Sequence, residues 1–176
     1  MAKYALLIVD VQNGVYSEKA YPADKLLTNI GHLADACREK GVEVIYVVHN
    51  DEELVKDSED WQVVSDIAPK AGENIFDKNH NSAFLHTGLK EYLTGKGVTT
   101  VILTGMVTQY CINASCLAAF EHGFEVIVPE DANGAYGAEH IPAEDIHRLF
   151  NRNIWGGGIA KVIDTEEAAK MIGAIG

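Results

Sequence analysis

Short, continuous apolar runs alternate along this chain with longer stretches whose apolar residues fall on one helical face. The runs cover residues 4–9, 42–48, 98–103 and 124–128, are rich in Val and Ile, and are bounded by Gly, Asp or Asn. Runs of this kind suit strands buried on both faces of a parallel sheet. Between the first two, residues 22–40 carry Leu26, Leu27, Ile30, Leu33, Ala34 and Cys37 at helical spacing, with Pro22 near the start and Gly41 just past the end. That is the expected asymmetry of a helix. Residues 85–93, 108–122 and 142–154 continue the alternation, and a run at 159–163 followed by a helical stretch at 165–172 closes it. A further short run, Ile75-Phe76-Asp77, leads into Lys78. Strand and helix repeated to the end predict a three-layer, doubly wound α/β domain of Rossmann-like type, with a mainly parallel central sheet.

Residues 49–74 break the pattern, being polar, acidic and mostly aperiodic around Trp61. Long loops inside compact domains are usually functional or disordered, and Trp61 points to an ordered loop near a pocket or a subunit contact. Gly156-Gly157-Gly158 follows a helical stretch and reads as a C-terminal cap and turn, since a phosphate loop would precede one.

The length of 176 residues suits a single domain over 1–176. Composition is that of a globular protein, 47% hydrophobic and 23% charged, and no run approaches the ~20 apolar residues needed to span a bilayer. The start, Met1-Ala2-Lys3-Tyr4, enters a strand pattern too short for a signal-peptide core, so a cytoplasmic location is expected. A formal charge of -12 argues against nucleic acid or an anionic membrane as partner, because both require clustered Lys and Arg. Small neutral or cationic ligands fit better. The cysteines, Cys37, Cys111 and Cys116, lack zinc-ribbon spacing and are expected to be free thiols.

In a doubly wound fold, ligands sit beyond the carboxyl ends of the strands. Asp10, Lys78 and Cys111 would project there. Cys111 lies just past the run ending in Thr104-Gly105, at the mouth of a helix whose dipole favours a thiolate. Taken alone it is better explained as a buried structural thiol, as Cys37 and Cys116 are. Asp10 is harder to dismiss, because an aspartate ending an apolar strand is costly to bury without a partner, although capping Gln12-Asn13-Gly14 is an alternative. Lys78 has the weakest individual signal, with Asp77 available as a surface partner.

Together, three segments resemble the signature motifs of the isochorismatase-like cysteine hydrolases: Leu6-Leu7-Ile8-Val9-Asp10-Val11-Gln12-Asn13, Lys78 with Ser82-Ala83-Phe84, and Thr104-Gly105-Met106-Val107-Thr108-Gln109-Tyr110-Cys111. They occur in the family's order. The similarity continues through Gly123-Phe124-Glu125-Val126 and Asp131-Ala132 to Pro142-Ala143-Glu144, covering nearly the whole chain. The resemblance implies Cys111 as nucleophile, Asp10 as its base and Lys78 as the cation that orients Asp10. It implies an oxyanion site made by the backbone N–H groups of Val107 and Cys111, with a cis peptide at Met106–Val107. The expected reaction is cleavage of a carbon–nitrogen bond in a small amide, carbamoyl or lactam-like compound through a thioester. Gln109 stands where the family usually has an acid, which leaves local hydrogen bonding open.

Nicotinamidases of this superfamily carry an Asp-x-His pair after the second strand, whereas this chain has His49-Asn50-Asp51. His49 and Asp51 are therefore weak metal candidates, and no metal or other cofactor is expected because three or four convergent ligands are not evident. Trp61, His80, Phe84 and Tyr110 are candidate pocket walls, with core packing an equal alternative for Phe84. His32, His86, His122, His140 and His147 are assigned surface or capping roles. Family members commonly form symmetric assemblies, so a homo-oligomer is expected, with Trp61 and Trp155 as interface anchors. Competing functions are a vinyl-ether hydrolase of isochorismatase type, which would not need Cys111, and a non-catalytic thiol-sensing or binding member of the fold. A phospho-receiver domain fails on residue order, since Lys78 precedes Thr108.

Overall fold

In the computed structural model, which describes residues 2–175, the parallel sheet runs in the order β3-β2-β1-β4-β5-β7, with a further two-residue strand, β6, beside β4. The strands are β1 (Tyr4–Val9), β2 (Glu43–His49), β3 (Asn74–Lys78), β4 (Thr100–Met106), β5 (Glu125–Pro129), β6 (Asn133–Gly134) and β7 (Lys161–Ile163). The helices are α1 (Ala23–Glu39), α2 (Leu89–Gly95), α3 (Asn113–Glu121), α4 (Ala143–Arg148) and α5 (Thr165–Gly173). This is the three-layer α/β architecture expected. Among the described residues no helix is long and apolar enough to cross a membrane.

The apolar runs are continuous because both faces of the sheet are covered. Successive residues of each strand enter opposite layers, as the period of two requires. Ala5, Leu7, Val9, Ile45, Val47, Val101 and Leu103 pack with Leu89, Leu93, Ile112, Cys116 and Trp155 on one side. Leu6, Ile8, Val44, Tyr46 and Ile102 pack with Leu26, Ile30, Leu33, Cys37, Ala168 and Ile172 of α1 and α5 on the other. The edge strand β3 is the exception, with Ile75 half exposed, which is why it reads weakly in the sequence.

Several boundaries differ from the sequence reading for local reasons. The stretch expected to be helical from residue 85 becomes helical only at Leu89, because His86 and Gly88 adopt positive φ angles of 60° and 76°. The stretch at 108–122 divides into a π-helical turn, Thr108–Ile112, and α3. The stretch at 142–154 likewise divides into α4 and a π-helical segment, Leu149–Trp155. Trp155, expected as an interface anchor, is fully buried, with its Nε1 donating to Asn113 Oδ1 at 3.1 Å. It is a core residue. His147, expected at the surface, is buried, and its Nε2 lies 2.7 Å from the Glu130 carbonyl oxygen. Burial pushes its pKa down.

The chain order reverses on the sheet between β1 and β4: β1, β2 and β3 step outward on one side, and β4 returns to the other flank of β1. Such a switch point opens a crevice at the carboxyl ends of the strands. Gly105 shows how closely β4 approaches β1 there, since it has φ +116° and a Cβ on it would lie 2.0 Å from the Val9 carbonyl oxygen.

Candidate active site

Three strand ends deliver the chemistry-bearing residues to this crevice. Asp10 follows β1 with φ 52° and donates its backbone N–H to Val47 O at 2.9 Å. Lys78 ends β3, two strands away across β2. Neighbouring strands are about 4.8 Å apart, so only a long side chain closes that gap, and the lysine stem does so. Lys78 Nζ lies 2.6 Å from Asp10 Oδ2, and both side chains are buried. Cys111 sits in the π-helical turn after β4, with Sγ 3.4 Å from Lys78 Nζ. The sequence motifs therefore meet in space.

The turn carrying Cys111 is held from beneath by a buried polar network. Thr108 Oγ1 donates to Asn133 Oδ1 at 2.7 Å, and Asn133 Nδ2 donates to Asn151 Oδ1 at 3.0 Å and to Pro129 O at 3.1 Å. Gln109 Nε2 donates to Tyr136 O at 2.8 Å, tying the same turn to the segment after β6. Gln109 thus supplies a side-chain donor to this turn. The Met106–Val107 peptide is cis, as expected from the motif, and Val107 is the residue that caps the turn.

Electrostatics separates the roles of the two Asp10 oxygens. Oδ2 is engaged by Lys78, whereas Oδ1 is buried and has no hydrogen-bond partner among the described residues. Burial raises the Asp10 pKa against the opposing pull of Lys78. The Cys111 thiol is pushed up to about 12 by burial and by the Asp10 charge, with Lys78 opposing. Desolvation and the adjacent carboxylate thus oppose the thiolate that a helix start favours. The arrangement sets a thiol whose pKa is raised beside a desolvated carboxyl group.

His49, ending β2, lies between the other two strand ends and is the register partner of Lys78. Its Nδ1 is 3.1 Å from Lys78 Nζ, and its Nε2 is 3.1 Å from Asp51 Oδ2. Both ring nitrogens are thereby engaged with protein groups. Among the described residues no group of three or more His, Cys, Asp or Glu is placed to hold a metal ion. The loop after β2 is ordered against the site by Gln12, a fully buried side chain. Its Nε2 donates to His49 O at 2.8 Å and Trp61 O at 2.9 Å, and its Oε1 accepts from His49 N at 2.8 Å.

The candidate pocket walls divide. Tyr110 is 59% exposed beside Cys111 and lies on the rim. His80 is exposed and offers its backbone, its carbonyl oxygen accepting from Lys78 Nζ at 3.1 Å. Trp61 is half buried, with its ring 5.9 Å from Lys56 Nζ. For Phe84 the structure takes the core alternative: it is buried, stacks on Phe124 at 6.1 Å and meets His122 edge-on. Sequence reasoning passed over Asn81, whose Oδ1 lies 3.8 Å from Cys111 Sγ. It also missed the Gln12 clamp and the His49 contact to Lys78. The strand-end position of His49, matching that of Asp10 and Lys78, was the available signal for the last of these.

The family model described as the isochorismatase domain matches residues 4–167, spanning every residue of this site. The chain belongs to the isochorismatase family. One relative is an uncharacterized isochorismatase family protein of Bacillus subtilis, 32% identical over 158 residues and covering 84% of both chains. Nicotinamidase 3 of Arabidopsis thaliana is 26% identical, with 96% of this chain and 88% of that protein covered. An N-carbamoylsarcosine amidase of Arthrobacter is 28% identical, covering 74% of this chain and 59% of the relative. Among solved isochorismatase folds, a cysteine hydrolase from Pseudomonas syringae superposes with a TM-score of 0.91 at 23% identity, over 99% of this chain and 94% of that one. A structure from Burkholderia xenovorans, described as a putative isochorismatase, gives 0.87 at 27% identity, covering 98% and 88%.

Proposed function

We propose that this isochorismatase-family protein is a cysteine hydrolase that cleaves a carbon–nitrogen bond of a small amide-type substrate through a thioester on Cys111. The observation that carries this reading is the convergence of Asp10, Lys78 and Cys111 within hydrogen-bonding distance at the sheet's switch point. The amidase and nicotinamidase names of relatives agree with it.

Cys111 Sγ attacks the carbonyl carbon as Asp10 Oδ1, the oxygen not held by Lys78, takes the thiol proton. A carboxylate whose pKa is raised by burial is a stronger base than an ordinary aspartate, which suits it to this transfer. Negative charge then develops on the carbonyl oxygen, and the backbone N–H groups of Val107, which caps the turn, and of Cys111 within it are assigned to receive it. The tetrahedral centre collapses, the carbon–nitrogen bond breaks, and protonated Asp10 gives its proton to the departing ammonia or amine. Water then attacks the thioester with Asp10 again as base, and the thiol leaves reprotonated. Lys78, 2.6 Å from Oδ2, steadies Asp10 in its ionised form. The net change is amide plus water to carboxylic acid plus amine, using protein groups and water alone.

Ammonia or amine release from a panel of carboxamides, carbamoyl compounds and lactams tests the reading. At least one should be turned over, and Cys111→Ala should abolish its turnover. Release that persists unchanged in that variant rejects the covalent mechanism.

A further inference from the structure

The Lys78 ammonium is buried and has three N–H groups to give. Around Nζ lie Asp10 Oδ2 at 2.6 Å, His49 Nδ1 at 3.1 Å, His80 O at 3.1 Å and Cys111 Sγ at 3.4 Å. The acceptors outnumber the protons, so the direction of each N–H is set by which acceptors are fixed. His80 O belongs to the backbone and Asp10 is the base itself. The remaining side chain that constrains Nζ from outside the proposed triad is His49.

We propose that His49 is a positioning residue, accepting from Lys78 through Nδ1 and so fixing how the ammonium presents its other protons to Asp10 and Cys111. The inference rests on the reading of Asp10, Lys78 and Cys111 given above. His49 can play this part only with the proton on Nε2, and its surroundings select that tautomer. Nε2 faces Asp51 Oδ2 at 3.1 Å, a carboxylate that can only accept. Asp51 is itself set in place, because its Oδ1 accepts from the backbone N–H groups of Glu53 and Leu54, each at 2.8 Å. A hydrogen-bonded line thus runs from the loop amides through Asp51 and His49 to Lys78 and Asp10. Outer partners of this kind orient a reacting group without touching substrate. The backbone of His49 is separately clamped by Gln12 at both N–H and carbonyl, so replacing the imidazole leaves the strand end anchored.

The test is the rate of Cys111 alkylation by iodoacetamide across pH on the full-length protein, with the labelled peptide identified by mass spectrometry. It is read beside kcat and KM on whichever amide is turned over. His49→Phe is expected to slow alkylation about 10- to 100-fold near neutral pH, since the thiolate loses a well-aimed cation. The same variant should lower kcat with KM little changed. His49→Gln, whose amide oxygen can accept from Lys78, should recover part of the loss. Should His49→Phe fail to fold, Asp51→Ala at the exposed end of the line should shift the alkylation profile in the same direction, and Asp51→Asn should shift it less. Profiles of His49→Phe, or of Asp51→Ala in its place, that superimpose on the unsubstituted protein overturn the inference. If Cys111→Ala is inactive while His49→Phe turns over normally, this inference alone falls. If Cys111→Ala remains active, the reading beneath it falls as well.

Discussion

Replacing Lys78 by Met removes the cation of a buried ion pair while keeping most of its stem. The two charges are 2.6 Å apart and both side chains are buried, which gives a Coulomb attraction of about 6 kcal/mol at an effective dielectric of about 20. Desolvating each ion costs several kcal/mol, so the pair as a whole contributes little to stability. Breaking it exposes the full penalty on the survivor. Lys78→Met should therefore lower the unfolding free energy by about 3 to 5 kcal/mol, with urea denaturation followed by tryptophan fluorescence as the assay. Pairing it with Asp10→Asn, which removes the orphaned charge and suits the positive φ at that position, should restore stability to the original level or above it. The pH dependence has a definite sign. The folded-state pKa of Asp10 is already raised by burial and rises further without Lys78. A carboxyl with a raised folded pKa binds its proton more tightly when folded, so stability is greatest at low pH and is lost as pH rises towards that pKa. The Lys78→Met defect should shrink on acidification and the double variant should show no such trend. Single substitutions that each cost under about 1 kcal/mol and simply add would refute this account of the pair.

Other expectations follow from individual contacts. Gly105→Ala places a Cβ 2.0 Å from Val9 O at φ +116° and should cost roughly 3 kcal/mol or more, seen as a large drop in the urea midpoint; an unchanged midpoint contradicts the close approach of β4 to β1. Gln12→Leu strips the backbone of His49 and Trp61 of three hydrogen bonds and should cost about 2 to 4 kcal/mol, with faster proteolysis of the loop after β2. Iodoacetamide should label Cys111 alone in the native protein. All three thiols are pushed up to about 12, but only Cys111 is accessible, since Cys37 and Cys116 are fully buried. Because Asp10 must be ionised to act as base and its pKa is raised, kcat/KM should fall on the acid side at a pH above the ordinary aspartate range. An acid limb at or below that range argues against Asp10 as the base.

The order of the elements was legible because burial on both faces writes itself as unbroken apolar runs, and α1 announces itself through Pro22 and Gly41. Where the chain departs from regular periodicity, the reading slipped. A π-helical turn at Thr108–Ile112 and another segment at Leu149–Trp155 carry the same composition as the helices they adjoin. The two-residue β6 is too short to leave a pattern. Asp10 and Lys78 stand out at the ends of strands, but it was the resemblance of three ordered segments to family motifs that joined them to Cys111, which alone reads as a buried structural thiol. His49 stands at such an end too, yet its meaning depends on which nitrogen faces Lys78, a matter of rotamer and tautomer. Trp155 was misassigned and Phe84 left open between pocket and core because an aromatic residue reads alike in a pocket, an interface or a core. Only the neighbours Phe124 and Asn113 decide between them.

The central claim, that Cys111 becomes covalently acylated during hydrolysis, is tested most directly by intact-protein and peptide mass spectrometry of the enzyme acid-quenched during turnover of an amide. The account predicts an added mass equal to the substrate less its amine, located on the peptide containing Cys111, transient in the unsubstituted protein and absent from Cys111→Ala. Turnover by the unsubstituted protein and by Cys111→Ala alike, with no adduct in either, would contradict it.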